Sequence, residues 1–360
     1  MNVWDSNHQN TEPQNGLKEA QTPCEFICIV GSGRCGTTAL AKMLGSLQGF
    51  AHTPELVYFP YALSSRKRFE PYDSEEAILR FFTHTLGKVL KFNQQFQERR
   101  NQLLQEFAEY IRQEALVGSS PQKIYRAVFD ALVREFATNR AQKVILQTPY
   151  DLYYHKLIAQ ILGPVRYIFM YRDPRNFFAS AMKGDRKWFR DDVTAIAHWN
   201  VAMKYGERLQ KRYGKHCTFV NQEDLLIKPG KVIAGLLKFC SVDWAEETEH
   251  LETPPSAGPF NSSFPDRPLS SSNIERFAYT MEKTEIYAVE LLTAKYFQKY
   301  FPQKEFSVYC RTSDQGTLFA HLALRARHLF RVLTLEGQIY LRNQGRIGIY
   351  FRLKKALGQS

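Results

Sequence analysis

A glycine-rich turn near the beginning of the chain has the residue types and spacing of a phosphate-binding loop. An apolar strand signal ends at Val30, the turn contains three glycines and two threonines, and residues 39–47 have a helical pattern. The backbone N–H groups of such a turn and the N-terminus of the next helix attract an anion, and glycine lets the backbone approach it closely. The turn therefore predicts a phosphate site formed by Gly33, Arg34, Cys35, Gly36, Thr37 and Thr38.

The same spacing argues against a nucleotide kinase. Gly31 and Gly36 match the two glycines of the kinase pattern G-x-x-x-x-G-K-[ST], but Thr37 occupies the lysine position and Arg34 is the only cation in the turn. This difference favours a bound phosphate group without the usual Mg-ATP chemistry. A P-loop phosphotransferase that uses ATP is the alternative reading.

A second candidate phosphate site lies where a later strand is predicted to end. Arg172 follows the apolar run at 165–171, and ligands bind at the carboxyl ends of strands in open α/β sheets. Asp173 can cap the next helix and Pro174 fits its first turn, so Ser180 lies roughly two turns into that helix. The planar donor fork of Arg172 and the hydroxyl of Ser180 can together hold a phosphate. A capping salt bridge between Arg and Asp is the simpler alternative.

Strands and helices alternate along the chain around these two motifs. Strand signals at 143–146 and 165–171 enclose a helical pattern at 151–162, which is typical of a βαβ unit and hence of a parallel sheet. A further strand signal lies at 217–220. We therefore expect an α/β fold with a central parallel sheet flanked by helices, and a helical insertion at about 62–142.

Two ends and one internal segment differ in composition from the main domain, which we place at 23–310. The polar leader at 1–22 is expected to be disordered, and the Pro- and Ser-rich segment at 253–272 is expected to be a loop. Residues 311–360 contain nine Lys or Arg and two acidic residues, a local charge of 9 − 2 = +7, interleaved with leucines. This basic amphipathic extension either packs on the domain with a solvated face or docks on a membrane or a partner.

Composition limits the partners and the compartment. The formal net charge of the 360 residues is +12, which favours an anionic ligand or surface, and the absence of a nucleic-acid motif predicts no nucleic-acid partner. The six cysteines have no metal-binding spacing, so we expect no metal and reduced thiols. No apolar run approaches the ~20 residues of a membrane helix. These features predict a cytoplasmic protein, with peripheral membrane contact through the basic extension as an open alternative.

In this order, the two phosphate motifs resemble those of sulfotransferases that use 3′-phosphoadenylyl sulfate (PAPS). Residues 26–38 resemble the 5′-phosphosulfate loop in its arginine form, and Arg172 with Ser180 resembles the 3′-phosphate motif, including the interval of eight residues. Gln147-Thr148-Pro149 is similar to the family's K-T-P step, and residues 219–226 resemble its "YEDL" segment. The helix near Arg276 looks like the family's C-terminal part, so the resemblance covers about 24–300.

The resemblance implies a P-loop-like sulfotransferase fold and in-line transfer of a sulfuryl group from PAPS, without a metal. The acceptor would be a hydroxyl or an amine of a small molecule, a lipid or a carbohydrate. In that reading Arg34 neutralises charge on the leaving-group side, and Gly36, Thr37 and Thr38 hold the 5′-phosphate. Arg172 and Ser180 would bind the 3′-phosphate, the group that distinguishes PAPS from ATP.

A catalytic base is also implied by the resemblance. Glu55 lies 21 residues after Arg34, close to the place of a catalytic Glu in the tyrosylprotein relatives, and its loop should lie near the strand ends. A helix-capping or surface role is the alternative for Glu55. His155 and His52 are alternative bases.

Three features depart from the family pattern. Gln147 replaces the common lysine and removes a charge near the transferring group, Gln222 replaces the usual tyrosine, and the extension from 311 onward matches nothing in the family. A catalytically inactive sulfotransferase-like binding protein is therefore a further alternative.

Overall fold

Five parallel strands form one sheet at the centre of the described chain, in the order β2-β3-β1-β4-β5. Their bounds are β1 Glu25–Gly31, β2 Phe50–His52, β3 Lys143–Gln147, β4 Val165–Tyr171 and β5 Cys217–Asn221. The computed structural model describes residues 25–91, 97–134, 136, 141–183, 189–242, 274–306, 316–346 and 349. The leader predicted at 1–22 and the loop predicted at 253–272 lie outside these residues.

The register of the sheet brings the carboxyl ends of its central strands to one edge. Ile29 of β1 is level with Gln147 of β3, and Gly31 is level with Met170 of β4. Tyr171 at the end of β4 is level with Asn221 at the end of β5. Because the chain leaves each strand at the same edge, the turn after β1 and the Arg172 segment after β4 are neighbours.

Helices cover both faces of the sheet, as expected for parallel strands that are apolar on both sides. One buried cluster joins one face of the sheet to α1, α8 and α9, whereas the other joins the opposite face to the remaining large helices. The helices are α1 Thr37–Gly45, α2 Glu75–Leu90, α3 Arg100–Gln113, α4 Pro121–Val133, α5 His155–Leu162, α6 Pro174–Met182, α7 Asp192–Tyr213, α8 Gln222–Ile227, α9 Pro229–Phe239, α10 Phe277–Thr280, α11 Lys283–Tyr300 and α12 Gly316–Asn343. No helix among the described residues is long and apolar enough to cross a bilayer.

The α/β fold with a central parallel sheet is confirmed, and local differences have physical reasons. β4 begins and ends where its apolar run does, and α2–α4 lie between β2 and β3. β2 was not predicted, because its three residues are too few for a periodic signal. The helix predicted at 151–162 begins with 3₁₀ geometry at Pro149–Tyr154 and becomes α-helical only in α5.

A buried group of charges ties the end of β4 to the helices around it. Asp173 accepts hydrogen bonds from the backbone N–H of Arg175, as predicted for a cap, from the Arg175 guanidinium and from Lys304. Arg175 also donates to Glu290 of α11, and Lys304 donates to Glu223 of α8. Burial alone would raise the pKa of Asp173, but the interactions with Arg175 and Lys304 outweigh it and lower the pKa.

We expect Asp173→Ala to lower the free energy of unfolding by about 3 kcal/mol, because it leaves buried cations without their shared carboxylate. Urea denaturation followed by circular dichroism measures this change. Glu75→Ala is the matched control, since it breaks the solvent-exposed Arg112 pair and should cost less than about 1 kcal/mol. Similar losses in the two variants would contradict a structural role for the buried group.

The C-terminal helix α12 packs on α7. Ile339 is buried, and Glu336 pairs with Lys204 and Arg208 of α7. At the C-terminal end of α12, Asn343 donates to the backbone oxygen of Tyr153 at 3.0 Å. The described part of the C-terminal extension is therefore held on the domain through one face of α12.

Candidate active site

The turn after β1 has the backbone shape of an anion cradle. Gly33, Arg34 and Gly36 all have left-handed backbone conformations, with φ of 74°, 51° and 87°. This conformation is unfavourable for arginine by roughly 1–2 kcal/mol, and such strain is commonly found at functional sites. Gly31 is required for a different reason, because a Cβ there would lie 2.4 Å from the backbone oxygen of Met170. The turn can therefore approach β4 as closely as it does only with glycine at position 31.

The two phosphate motifs predicted from the sequence meet in the structure. The Nε of Arg34 donates to the hydroxyl of Ser180 at 3.3 Å, and Arg172 donates to the backbone oxygen of Arg34 at 3.2 Å. Trp199, which is buried in the core, donates to the backbone oxygen of Arg172 at 3.0 Å and fixes the end of β4. The turn, Arg172 after β4 and Ser180 in the last turn of α6 thus meet at one basic site.

Three guanidinium groups interact at this site. Burial lowers the pKa of Arg172 to about 10; the Glu223 carboxylate opposes this shift, and the positive charge of Arg34 adds to it. Burial also lowers the pKa of Arg34, where the Cys35 thiol opposes the shift and the charge of Arg276 adds to it. A bound anion would offset the desolvation and the like-charge repulsion that lower the pKa values of Arg34 and Arg172.

Gln147 lies beside the predicted 5′-phosphate residues. Its amide donates to the hydroxyl of Thr38 at 2.9 Å and is buried at the end of β3. Gln147 stands in place of the lysine of the K-T-P step that this segment resembles. It therefore provides a neutral hydrogen-bond donor, and it orients the Thr38 hydroxyl.

Cys35 contributes its backbone rather than its side chain. Its thiol is fully buried among the core residues beneath the turn, and burial raises its pKa to about 11. Any contribution of Cys35 to a phosphate would come from its backbone N–H. Thr37 is also buried, at the first position of α1.

Glu55 lies at the same edge of the sheet, in the loop that follows β2. This loop is held against β3, because the N–H of Thr53 donates to the backbone oxygen of Ile145 at 2.9 Å. Glu55 is half-buried, and burial raises its pKa to about 7. A carboxyl group with that pKa can exchange a proton near neutral pH, as a general base must.

Aromatic residues connect Glu55 to the turn. Burial raises the pKa of Tyr61 and of Tyr150, and the negative charge of Glu55 adds to both shifts. Asp151, next in the chain, is fully buried; burial and then the charge of Glu55 raise its pKa well above the usual value. Burial of Asp151 therefore disfavours a second negative charge close to Glu55.

The two alternative bases have buried surroundings that lower their pKa values. His155 is buried against Tyr213, with 3.2 Å between Nδ1 and the hydroxyl oxygen, and burial lowers its pKa to about 4. His52 packs on Gly45 at the end of α1 and is level with Ile145, two residues before the end of β3. Among the three predicted bases, Glu55 is therefore the one whose pKa is raised to near neutral pH.

Some residues of the site carried no recognisable signal in the sequence. In the sequence, Arg276 only marks a helix that looks like the C-terminal part of the family. In the structure, the charge of Arg276 acts on Arg34. His198 of α7 lies 6.4 Å from Tyr150 between ring centroids, and Arg342 of α12 lies 5.9 Å from the ring of Tyr61. These residues come from distant parts of the chain, and no local spacing connects them to the turn.

The family comparison agrees with this arrangement. The sequence profile described as "Sulfotransferase family" matches residues 26–246, more than half of the chain. No curated protein sequence matches the chain significantly.

Three solved structures are similar to the chain at low identity. The sulfotransferase domain of the olefin synthase of Synechococcus PCC 7002 is 16% identical with a TM-score of 0.48, covering 79% of this chain and 98% of that one. The sulfotransferase domain of the curacin biosynthetic pathway is 16% identical with a TM-score of 0.47, covering 77% and 98%. Sulfotransferase STF9 from Mycobacterium avium is 12% identical with a TM-score of 0.42, covering 78% of each chain. Because these similarities are remote, the family assignment depends on the profile match.

Proposed function

Since the chain belongs to the sulfotransferase family, we propose that it transfers a sulfuryl group from PAPS to a hydroxyl or an amine of an acceptor. The observation that carries this proposal is the contact between the two motifs, in which Arg34 reaches Ser180 and Arg172 reaches the backbone of Arg34. PAPS has a phosphate on the 3′-oxygen and a phosphosulfate on the 5′-oxygen of its ribose. A site where two anion-binding elements meet at one sheet edge fits a ligand of that kind.

The residues present fit the donor chemically. Arg34, Arg172 and Arg276 supply positive charge, and the left-handed glycines of the turn allow close approach of the backbone. Gln222 is also buried near Gly36, and its side-chain oxygen has no hydrogen-bond partner among the described residues. That oxygen is available to accept a hydrogen bond from a donor group on a ligand.

In the proposed reaction the acceptor oxygen or nitrogen attacks sulfur in line with the bond that breaks. A new bond to sulfur forms, and the bond from sulfur to the 5′-phosphate oxygen breaks with its electron pair leaving on 3′,5′-ADP. Glu55 takes the proton of the acceptor. Arg34 and the turn stabilise the negative charge that develops on the leaving oxygen, and this charge stabilisation lowers the barrier.

ATP-dependent phosphoryl transfer fits the site less well. The turn has no lysine, and Asp173, the acidic residue after β4, is fully buried and bound to Arg175 and Lys304. Among the described residues no group of three or more His, Cys, Asp or Glu is arranged to hold a metal ion. Asp173 is therefore not available as the magnesium ligand that such an enzyme requires.

We expect 3′,5′-ADP to raise the melting temperature of the protein, and Mg-ATP to raise it much less. A ligand at about 100 times its Kd stabilises the folded state by ~2.7 kcal/mol. Arg172→Ala should weaken 3′,5′-ADP binding by ~1.5–3 kcal/mol, or roughly 10- to 150-fold, because it removes hydrogen bonds to a charged group. Differential scanning fluorimetry and isothermal titration calorimetry measure the two effects.

The control is Arg100→Ala, which removes an exposed arginine of α3 and should leave the affinity unchanged. Unchanged binding of 3′,5′-ADP to Arg172→Ala would remove the 3′-phosphate assignment. A larger stabilisation by Mg-ATP than by 3′,5′-ADP would favour the phosphotransferase. Transfer of radiolabelled sulfate from PAPS to a panel of carbohydrate, lipid and phenolic acceptors separates an enzyme from an inactive binding protein.

A further inference from the structure

Apolar side chains form a continuous stripe on the outward face of α12. Leu322, Leu329, Leu333 and Tyr340 recur at helical intervals, Phe330 lies beside them, and each of the five is 55–64% exposed. We call these five residues the α12 stripe. They make up half of the large exposed apolar residues found in the described part of the chain, and the stripe is about 27 Å long at 1.5 Å per residue. A concentration of this kind on one helix marks an interaction surface.

The opposite face of α12 makes the contacts that hold this helix on the domain. Ile339 is buried, Glu336 pairs with Lys204, and Arg331 pairs with Asp191 at 3.3 Å. His328 lies 3.0 Å from the amide of Asn200. Because these contacts hold the helix on α7, the stripe is not needed for the core of the domain.

The charges on α12 favour an anionic partner. Arg325 and Arg327 are exposed within the span of the stripe. The helix contains one acidic residue, Glu336, and that carboxylate is turned toward Lys204 and Arg208 of α7. The exposed part of α12 therefore combines apolar and cationic groups, although the charge of Arg327 also acts on Asp191 at the start of α7.

We propose that the α12 stripe docks on the surface of an anionic lipid bilayer. A straight helix with an apolar face, flanking arginines and a tyrosine near one end has the composition of helices that lie in the plane of the interface. The leucines and Phe330 would enter the boundary between headgroups and acyl chains, while Arg325 and Arg327 contact anionic headgroups. A second copy of the chain fits less well, since pairing two stripes would bring four arginines of like charge together.

Vesicle co-sedimentation of the full-length protein tests this proposal without depending on sulfuryl transfer. Vesicles of phosphatidylcholine with phosphatidylserine should bind the wild-type protein, and vesicles of phosphatidylcholine alone should bind it much more weakly. The triple variant L329Q/F330Q/L333Q should lose at least about tenfold in binding, because it removes the centre of the apolar face. Arg325→Gln with Arg327→Gln should lose roughly 25-fold, about fivefold for each arginine.

Two variants on other surfaces serve as matched controls. Val117→Gln with Ile227→Gln removes exposed apolar residues elsewhere, and Lys231→Gln with Lys238→Gln removes two exposed charges from α9 on the opposite side of the sheet. Both control variants should bind as the wild type does, and melting temperatures should show that all variants are folded.

Several results would overturn the proposal. The proposal is wrong if the wild-type protein does not sediment with anionic vesicles, or if it binds neutral vesicles equally well. It is also wrong if the control variants lose as much vesicle binding as the stripe variants. A stable dimer in analytical ultracentrifugation that the stripe substitutions dissociate would assign the stripe to self-association instead. Capture of a soluble acidic protein by the stripe, with no vesicle binding, would likewise replace the bilayer by a protein partner.

Discussion

Arg34→Ala should abolish sulfuryl transfer from PAPS while leaving the protein folded. The side chain comes from the turn that the 5′-phosphate is proposed to occupy and reaches Ser180 on α6, so it lies between the two proposed anion sites. Removing a preorganised donor from developing negative charge costs about 10²–10³ in rate, or roughly 3–4 kcal/mol. Initial rates with radiolabelled PAPS and an acceptor identified in the screen measure this loss.

The design of this substitution separates charge from backbone effects. Residue 34 has a φ of 51°, and alanine carries a strain there similar to that of arginine, so the turn keeps a comparable backbone preference. Arg34→Lys keeps the charge but loses the planar donor fork, and should retain more activity than alanine. Arg100→Ala should behave as wild type. A near-normal rate in Arg34→Ala would remove Arg34 from the catalytic assignment.

Glu55→Gln should lower the transfer rate by about 10²–10⁴ and change its dependence on pH. Glu55 acts as a base only without its proton, and burial raises its pKa to about 7. The wild-type rate should therefore fall as the pH drops below about 7 and reach a plateau above it. The residual activity of Glu55→Gln should lack this inflection. The dependence of kcat/KM on pH, measured between about pH 5 and about pH 9, tests both parts, because kcat/KM reports the pKa of the free enzyme.

The stability of the same variant shows whether lost activity reflects chemistry. A raised carboxyl pKa means that folding disfavours the charged form, so the wild-type protein loses stability as the pH rises from about 4.5 to about 7. Glutamine is neutral throughout, so Glu55→Gln should be at least as stable as the wild type at alkaline pH. Glu76→Gln, an exposed residue of α2, is the control. A wild-type rate in Glu55→Gln would transfer the base role to a histidine or to water.

Local sequence signals predicted the central part of the fold and the proposed donor site. The apolar run of β4, the cap at Asp173 and the glycine turn each depend on residues close together in the chain. Because parallel strands end at a shared edge, two correctly placed strands were enough to place Arg172 and the turn at the same edge of the sheet, and the structure adds their direct contact.

Features that depend on distant parts of the chain were not predictable in this way. The raised pKa of Glu55 results from burial beneath segments that the local sequence does not identify, and β2 is too short to have a pattern. Arg276 and His198 approach the site only because α10 and α7 pack beside it. The sequence suggested two functions for the C-terminal extension, and the structure adds that α12 has one packed face and one exposed face.

The contacts at the end of α12 have a practical consequence for work with this protein. Asn343 is bonded to the backbone of Tyr153 and accepts at its own backbone oxygen from Arg66, and Arg342 lies against Tyr61. A protein shortened before this helix to improve expression or crystallisation would therefore lose the contacts of Asn343 with Tyr153 and of Arg342 with Tyr61. Because the charge of Glu55 acts on Tyr61, assays of acceptor preference on such a trimmed protein would test altered surroundings of the proposed base.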